Sequence, residues 1–370
     1  MAIVGAGPAG ATAAFLLARQ GRRTLLVDRA TFPRFKVCGC CLNRNALTTL
    51  QRVGLADTVA ASVPYSALCL TARGRSAFLP LPAGRVISRE LWDAKLIERA
   101  CAAGAQFLPG TTASLTPATA ADRRGLRLRQ GGQRVRAEAK VVLAADGLAG
   151  GVLERDDESP THIAAGSRLG AGAILEVDNA AYAPGTITMA VGRGGYVGLV
   201  RLEDGRLDLA AALDAHAVAQ AGGLAPLVTA ILREAGAAPL PVEQARWKGT
   251  PPLTRRRVRP GAVRVFALGD AIGYIEPFTG EGMAWALASA AAIPPFVTAA
   301  LAGWDNRLVT RWQAMQRRQI GRRQWLCRAL SAALRHPGLV GTAVALGRLL
   351  PVVGRPIARF INRPSPVLDT

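Results

Sequence analysis

The chain begins with a strand, a glycine-rich turn, a helix and a second strand that ends in an acid. Residues 2–4 are apolar, a helical apolar pattern runs over 11–19, and the second strand, 24–27, ends at Asp28. Three glycines in the spacing Gly-x-Gly-x-x-Gly separate the first strand from the helix: Gly5, Gly7 and Gly10. This order is that of the first βαβ unit of a dinucleotide-binding fold. It predicts an α/β architecture with a parallel sheet.

Each part of this unit has a physical role in binding a dinucleotide. Gly5 permits the tight turn, Gly7 lets the backbone approach a pyrophosphate, and Gly10 lets helix and strand pack closely. The helix N-terminus at Pro8 offers free N–H groups and the positive end of the helix dipole. Asp28, with Arg29 beside it, is placed to accept hydrogen bonds from an adenosine ribose. The unit predicts a bound NAD or FAD.

Two observations and one chemical argument favour FAD over NAD. No second Gly-x-Gly-x-x-Gly follows a strand, since the glycines of 192–198 have the wrong spacing. The histidines, His162, His216 and His336, show neither metal-ligand nor catalytic-triad spacing. A bound NAD would need another catalytic group, whereas a flavin supplies the redox chemistry itself.

Two later strands end in acidic motifs of the kind that hold a flavin. Residues 141–145 end at Asp146-Gly147, and 265–268 end at Gly269-Asp270. A carboxylate at the carboxyl edge of a parallel sheet can bind ribityl hydroxyls. Four residues then precede a helix: Pro277, Gly280, Glu281 and Gly282. We expect this helix N-terminus to face the N1/C2=O edge of the flavin and to stabilise negative charge there.

Together these motifs resemble the para-hydroxybenzoate hydroxylase-like flavoproteins, which include aromatic hydroxylases, geranylgeranyl reductases and flavin-dependent halogenases. Residues 32–39 and 276–286 are most similar to the geranylgeranyl reductase branch. Residues 87–96 resemble the helix start of that branch, where an arginine, here Arg89, approaches the flavin. The resemblance covers residues 1–300, implies an FAD-binding fold, and places Cys38 and Gly39 near the flavin.

The sequence departs from each branch of that family. Hydroxylases usually continue the Asp-Gly motif toward a serine, where this chain has Leu148-Ala-Gly150. Prenyl reductases carry Tyr-x-Trp-x-Phe-Pro, of which the segment 195–202 keeps only Tyr196. The halogenase run Trp-x-Trp-x-Ile-Pro is absent from the sequence, so halogenation is disfavoured. By a narrow margin these departures favour hydroxylation over prenyl reduction.

The segment Cys38-Gly39-Cys40-Cys41 contains a Cys-x-x-Cys motif. A redox dithiol that relays electrons is one interpretation, but the chain lacks the second dinucleotide domain of flavin disulfide reductases. A zinc site would need a further ligand pair, which the sequence does not offer, so no metal is expected. We favour a tight turn in which Cys38 shapes the substrate pocket. Six cysteines in 370 residues are too few for a disulfide scaffold and indicate a reducing, cytoplasmic compartment.

The patterns divide the chain into four segments. Residues 1–160 and 255–300 are predicted to form a Rossmann-like FAD-binding domain, with a β-rich substrate domain inserted at 161–254. The remainder, 301–370, is predicted to be a basic amphipathic helical tail. Two aromatic residues, Tyr196 and Trp247, are candidates for the pocket wall, and each fits an ordinary core position equally well.

The chain has 46 Lys and Arg against 25 Asp and Glu, a net charge of +21. Only four are lysines, and aromatic residues do not alternate with the basic ones, so no nucleic-acid partner is expected. The tail holds twelve arginines and two aspartates, opposite an apolar face that includes Leu308, Trp312 and Met315. Such helices lie on an anionic membrane or cap the flavin domain, and both interpretations stay open. The uncharged run 283–304 is interrupted by Pro294-Pro295, so no transmembrane span is predicted.

The sequence therefore predicts a single-component, FAD-dependent oxidoreductase that acts on a hydrophobic aromatic or lipid-like small molecule. NAD(P)H would dock transiently and reduce the flavin, which would then react with oxygen to hydroxylate the substrate. Reduction of isoprenoid double bonds is the alternative reaction. A non-catalytic flavoprotein at the membrane surface is a second alternative. We expect a cytoplasmic protein, peripheral on the inner face of the membrane if the tail binds lipid.

Overall fold

The N-terminal strand lies at the centre of a parallel sheet, around which the flavin-motif segments are arranged. The computed structural model describes residues 1–117, 122–154, 159–276, 278 and 280–349. The strands in chain order are β1 (Ala2–Val4), β2 (Leu25–Val27), β3 (Cys41–Leu42), β4 (Val63–Ala72), β5 (Arg75–Val86), β6 (Gln106–Leu108), β7 (Thr112–Leu115), β8 (Arg124–Gln130), β9 (Gln133–Ala139), β10 (Val142–Ala144), β11 (Thr161–Ile163), β12 (Leu169–Leu175), β13 (Thr186–Gly192), β14 (Gly195–Arg201), β15 (Leu207–Leu213), β16 (Lys248–Pro252), β17 (Arg255–Arg257), β18 (Gly261–Ala262), β19 (Val265–Ala267) and β20 (Gly273–Tyr274). The helices are α1 (Pro8–Arg19), α2 (Arg44–Val53), α3 (Arg89–Ala102), α4 (Gly151–Glu154), α5 (Ala215–Gln220), α6 (Leu224–Ala235), α7 (Glu281–Ala292), α8 (Pro294–Ala302), α9 (Arg307–Ala333) and α10 (Pro337–Leu349).

The first sheet has the order β18-β19-β10-β1-β2-β6. All neighbouring pairs are parallel except β18 with β19. The central strands are apolar on both faces, as a parallel sheet covered on both sides requires. One face packs against helices and buries Ile3 and Phe266. The other packs Val4 against Leu126 and Leu128 of the small sheet β7-β8-β9. The predicted α/β class is confirmed.

A second, eight-stranded sheet has the order β16-β12-β15-β14-β13-β4-β5-β3. It takes strands from residues 41–86 as well as from the segment predicted as the substrate domain, because β4 pairs in parallel with β13. One face packs on α6 around Leu209 and Ile231. The opposite face lines a cavity that α10 also borders. The predicted boundaries at 160, 254 and 300 stay predictions.

Local signals in the sequence correspond to the observed ends of several elements. Asn43 caps α2 by accepting a hydrogen bond from the N–H of Ala46 at 3.0 Å. The β4–β5 hairpin turns at Arg73-Gly74. Ser88 accepts a hydrogen bond from the N–H of Leu91 at 3.2 Å and so caps the start of α3.

The described part of the predicted tail packs onto the protein. Leu308, Trp312 and Met315 of α9 belong to the main hydrophobic core. The Trp312 indole N–H donates a hydrogen bond to the carbonyl of Ala267 at 2.9 Å, so α9 is tied to β19. Arg311 and Arg318 lie on the exposed side. Residues 350–370 of the predicted tail lie outside the described part of the chain.

The segment Glu281–Ala302 is, among the described residues, the one helical stretch long and apolar enough by length and composition to cross a membrane. It consists of α7 and α8, which meet at Pro294. Leu287, Ile293 and Val297 are fully buried in the main core. Core helices of this kind satisfy the same length and composition criteria. These buried positions agree with a core helix that is interrupted at the prolines.

Candidate cofactor and substrate site

The glycine turn after β1 is closed so tightly that side chains would collide with backbone. A Cβ at Gly5 would lie 2.3 Å from the carbonyl oxygen of Ala145, and one at Gly10 would lie 1.8 Å from that of Gly5. Gly5 also has φ +101°, in the left-handed region that favours glycine. Gly7 caps α1 and leaves the N-terminal N–H groups open to the cavity. The turn therefore presents a bare helix N-terminus, which suits a pyrophosphate.

Asp28 closes this turn from the end of β2. Its two carboxylate oxygens accept hydrogen bonds from the N–H groups of Ala6 and Ala30, each at 2.8 Å. Both Asp28 and Arg29 line the cavity. Each carboxylate oxygen can accept a second hydrogen bond, so the role toward a ribose is compatible with this arrangement.

Two arginines converge on the glycine turn from different segments. Arg89 donates to both carboxylate oxygens of Asp93, at 2.8 and 2.7 Å, and Arg34 lies 3.3 Å from the same carboxylate. The guanidinium groups of both arginines lie within 4.0 Å of where a Gly7 Cβ would be. Arg34 Nη1 is buried and has no hydrogen-bond partner among the described residues. This unsatisfied donor and the missing Cβ at Gly7 fit a phosphate-bearing dinucleotide.

The acidic ends of β10 and β19 also face the cavity. Asp146, Gly147 and Asp270 line it, and Asp146 Oδ2 accepts a hydrogen bond from the N–H of Val152 at 2.8 Å. Gly269 lies behind this wall, where a Cβ would be 3.0 Å from Cβ of Ala9. Burial raises the pKa of Asp270 to about 6, although Lys36 and Arg89 oppose this effect. The carboxyl edge of the parallel sheet thus carries the acids that its motifs predict.

We expect Asp270→Asn to lower FAD affinity about tenfold, because one charged acceptor is lost. The same change should stabilise the FAD-free protein near neutral pH. The folded-state pKa of about 6 lies above the usual 3.8, so the native state binds the proton more tightly than the unfolded state. The free energy of unfolding therefore falls as pH rises from about 4 to about 6. The melting temperature of the variant, measured across that pH range, should not show this fall. The exposed Asp57→Asn is the control, and identical pH profiles for both variants would contradict the assignment.

The start of α7 completes the far wall of the cavity. Gly280 and Gly282 line it, whereas Glu281 turns away and pairs with Arg323 at 3.3 Å. Glu281 is almost fully buried and does not line the cavity, and its predicted contact with the cofactor stays a prediction. The predicted cofactor residue Pro277 lies outside the described residues.

A cavity of about 960 Å³ joins the glycine turn to the eight-stranded sheet. Beyond the motif residues its wall is formed by aliphatic side chains of β4, β5 and β13, including Leu70, Leu79 and Met189. Leu334, Val340 and Val344 of the tail helices close the other side. A dinucleotide that binds at the turn would therefore share one space with an apolar compartment.

Cys38 and Gly39 lie in the wall of this cavity, in the loop before β3. Cys38 Sγ lies 3.8 Å from Sδ of Met283. Interaction with the Cys40 thiol, together with the charge of Arg89, lowers the pKa of Cys38 to about 6 against the effect of burial. Burial raises the pKa of Cys41, and the adjacent Cys38 together with burial raises that of Cys40. No group of His, Cys, Asp and Glu able to hold a metal occurs among the described residues.

The two aromatic candidates for the pocket wall have different positions. Tyr196 lines the cavity, with Phe278 edge-on at 5.3 Å between ring centroids. Trp247 lies elsewhere: it packs against the core beneath the sheet, and its indole N–H donates to the carbonyl of Val242 at 2.8 Å. This backbone acceptor, which the sequence does not reveal, holds Trp247 away from the cavity.

A buried ion network stands behind Tyr196. Arg168 lies 3.1 Å from Glu276 and 3.2 Å from Asp214, and its guanidinium lies 5.6 Å from the Tyr196 ring centroid. Burial, and then the charge and hydrogen bond of Glu276, raise the pKa of Tyr196 well above its usual value. The phenol is therefore protonated at neutral pH.

Sequence reasoning missed several of these residues: Arg34, Asp93, Arg168 and Glu276. Asp93 had a readable signal, because it stands four residues after Arg89 on one helix face. Arg168 and Glu276 are 108 residues apart, and no local pattern connects them.

Comparison with known proteins agrees with this geometry. Residues 1–165 match the FAD binding domain family. The chain is 35% identical over 115 residues to menaquinone reductase of Mycolicibacterium smegmatis. This match covers 30% of this chain and 28% of that protein. It is 34% identical over 147 residues to geranylgeranyl diphosphate reductase of Rhodobacter capsulatus, covering 39% and 36%. The match thus spans about a third of each curated relative.

Among solved structures, p-nitrophenol 4-monooxygenase of Pseudomonas putida superposes with a TM-score of 0.79 at 14% identity, covering 99% of this chain and 98% of that chain. At that identity the likeness shows the shared fold. The resemblance to the para-hydroxybenzoate hydroxylase-like flavoproteins, with geranylgeranyl reductase among the relatives, is confirmed.

Proposed function

Because residues 1–165 match an FAD-binding domain and the relatives are oxidoreductases, we propose that this flavin-dependent oxidoreductase reduces a carbon–carbon double bond in a long apolar, isoprenoid-type molecule. The observation that carries the proposal is the aliphatic compartment continuous with the glycine turn. The names of the two curated relatives, a menaquinone reductase and a geranylgeranyl diphosphate reductase, support it. Hydroxylation, which the sequence narrowly favours, becomes the second candidate.

Bound FAD would supply the electron pair as a hydride. Gly7 and the α1 N-terminus would bind its pyrophosphate, with Arg34 and Arg89 adding positive charge. Asp270 would hold ribityl hydroxyls at the sheet edge. NAD(P)H is the proposed transient reductant. The helices α9 and α10 would exclude water from the aliphatic compartment, which limits competing reactions.

Reduction of a double bond also consumes a proton, and Tyr196 is the candidate source. Its phenol lies in the cavity wall, stays protonated at neutral pH, and contacts Glu276. We expect Tyr196→Phe to lower turnover about 100-fold while leaving FAD content unchanged. Single-turnover kinetics of the FAD-loaded variant checks this. Tyr182→Phe, a buried tyrosine outside the cavity wall, is the control; equal turnover of both variants would exclude Tyr196 as the donor.

Hydroxylation of an aromatic substrate is favoured by one feature, the same Tyr196 phenol. A polar group in an otherwise apolar wall can orient a phenolic hydroxyl. Product analysis separates the two reactions. The holoprotein is incubated with NAD(P)H and either geranylgeranyl diphosphate or a menaquinone, in air and without oxygen. Reduction adds two hydrogens under both conditions, whereas hydroxylation adds one oxygen and requires air. Substrate-dependent products that contain added oxygen only would contradict the reductase assignment.

We infer a cytoplasmic protein that binds the surface of anionic membranes through the exposed side of α9. Arg311 and Arg318 lie there, and Trp325 of the same helix is 69% exposed. Each arginine near an anionic surface contributes about 1 kcal/mol. Such a location would give the aliphatic compartment access to lipid-soluble substrates.

The double variant Arg311→Glu/Arg318→Glu should lose binding to phosphatidylglycerol vesicles by about tenfold or more, since two attractive charges become repulsive. Truncation of the tail is a poor test, because α9 contributes Trp312 to the core. Co-sedimentation at low and high salt measures the effect. The control, Arg129→Glu/Arg193→Glu, makes the same charge change on exposed residues elsewhere. If both double variants bind alike, membrane attachment does not use α9.

A further inference from the structure

The loop that carries Cys38, Cys40 and Cys41 lies across the eight-stranded sheet. Val37 packs on Gly172 of β12, where a Cβ would lie 3.1 Å from Cγ1 of Val37. Gly39 lies over Ala210 of β15: a Cβ at Gly39 would be 3.9 Å from the Cβ of Ala210. Asp208 stands two residues before Ala210 on the same strand, so its side chain points to the same face as the loop.

Asp208 is a buried carboxyl that the proposed reaction does not use. It is 1% exposed, and neither of its oxygens has a hydrogen-bond partner at normal distance among the described residues. The thiol of Cys40 is the polar group beside it. A buried carboxyl without a donor is costly, and such groups in native proteins call for a functional explanation.

The thiols of Cys38 and Cys40 differ in environment. Cys38 is partly exposed into the cavity and interacts with both the Cys40 thiol and Arg89. Cys40 is 3% exposed, with Sγ 3.8 Å from the carbonyl of Cys38. Its backbone has φ +51°, a left-handed conformation that side-chain-bearing residues adopt at a cost.

We propose that Cys38 and Cys40 form a peroxide-sensitive pair, in which Cys38 is oxidised first and Cys40 then closes a disulfide, with Asp208 accepting the Cys40 proton. The oxidant is hydrogen peroxide, a product of the reaction of reduced flavoproteins with oxygen. This site is independent of which substrate the protein reduces or hydroxylates.

The two steps balance. In the first, the Cys38 thiolate attacks peroxide: an S–O bond forms, the O–O bond breaks, and the released hydroxide takes a solvent proton to become water. The sulfur is oxidised by two electrons and becomes a sulfenic acid. In the second, Asp208 takes the Cys40 proton and the Cys40 sulfur attacks the Cys38 sulfur: an S–S bond forms, the S–O bond breaks, and the leaving hydroxide takes the proton back from Asp208 to become a second water. One peroxide and two thiols thus yield one disulfide and two waters.

Asp208 is suited to the second step because of what the first step does to its surroundings. Burial, and then the negative charge of Cys38, raise the pKa of Asp208 well above its usual value. Conversion of Cys38 to an uncharged sulfenic acid removes the second of these two causes, which shifts Asp208 toward the carboxylate form that can accept the Cys40 proton. Cys40 itself is a reluctant thiolate, since its pKa is raised, and needs such an acceptor.

The test uses the full-length, FAD-loaded protein treated with hydrogen peroxide. All three loop cysteines lie on one tryptic peptide, residues 37–44, between Lys36 and Arg44. We expect this peptide to lose two hydrogens and to show a Cys38–Cys40 link in its fragments, reversed by dithiothreitol. Cys101, which is exposed but has a pKa raised by burial, should react more slowly, and Cys101→Ser should behave like the parent.

Three variants separate the roles. Cys40→Ser should accumulate a Cys38 sulfenic acid that dimedone traps, and Cys41→Ser should still form the disulfide. Asp208→Asn should slow disulfide closure about 10- to 100-fold without changing the rate of sulfenic acid formation. An unchanged closure rate in Asp208→Asn would remove Asp208 from the mechanism. Three free thiols on peptide 37–44 after Cys101 has been oxidised would overturn the proposal, as would a disulfide that forms without Cys38.

Discussion

Replacement of Gly10 by alanine is expected to abolish FAD binding and to destabilise the protein. The new Cβ would lie 1.8 Å from the carbonyl oxygen of Gly5 and 3.1 Å from Cβ of Ala145. The first of these is backbone, which cannot rotate away, so α1 must shift from β1 and the turn must open. Overpacking of this kind costs about 3 kcal/mol. We expect the melting temperature to fall by about 5 °C or more and the purified protein to lack flavin absorbance.

Gly321→Ala is the matched control for this change. Gly321 lies inside α9, and a Cβ there would meet no atom within 4 Å. Removing a helical glycine should stabilise the protein by about 0.5–1 kcal/mol and leave FAD content unchanged. If Gly10→Ala retains full flavin and melts with the control, the glycine turn does not hold the cofactor.

The second large effect is expected at Asp93, the carboxylate that pairs with Arg89 and Arg34. Asp93 is fully buried, and Asp93→Asn keeps its size while removing the charge. Two cationic side chains then remain next to the glycine turn without their counter-ion. Loss of one partner from a buried pair destabilises proteins by about 3–5 kcal/mol. Urea denaturation of the FAD-free protein should show a loss of this order.

Bound FAD should offset part of the loss in Asp93→Asn, because its phosphates would face the two guanidinium groups. Glu98→Gln on the same helix is the control: Glu98 pairs with Lys95 at 2.9 Å, but the two side chains are 65% and 50% exposed. Such exposed pairs contribute about 0–1 kcal/mol. If Asp93→Asn unfolds at the same urea concentration as Glu98→Gln, the buried network does not stabilise the site.

The parts of the site that the sequence predicts are those made by short-range constraints. Gly5, Gly7 and Gly10 are required because backbone approaches backbone within one turn, and that requirement leaves a fixed spacing. Asp146 and Asp270 follow apolar strands, so their position at the sheet edge follows from strand direction. The eight-stranded sheet was less predictable, since β4 joins β13 across more than a hundred residues.

The tail and the pocket aromatics show where sequence patterns are ambiguous. An apolar helix face opposite arginines suits both a membrane surface and a protein core. Here the apolar face is buried in the main core, and the Trp312–Ala267 hydrogen bond ties it to β19. From the sequence, Trp247 and Tyr196 are equally good candidates for the pocket wall. Their positions are decided by partners that the sequence does not reveal: the Val242 carbonyl for Trp247, and Arg168 with Glu276 for Tyr196.

The most direct test of the proposed reaction follows the flavin absorbance of the holoprotein under strictly anaerobic conditions. The flavin is first reduced with one equivalent of NAD(P)H or dithionite and then mixed with geranylgeranyl diphosphate or a menaquinone. We predict that one of these isoprenoids reoxidises the flavin without oxygen, with one double bond reduced per flavin. Flavin that stays reduced with both, and that reoxidises only once oxygen is admitted with no double bond reduced, would contradict this proposal.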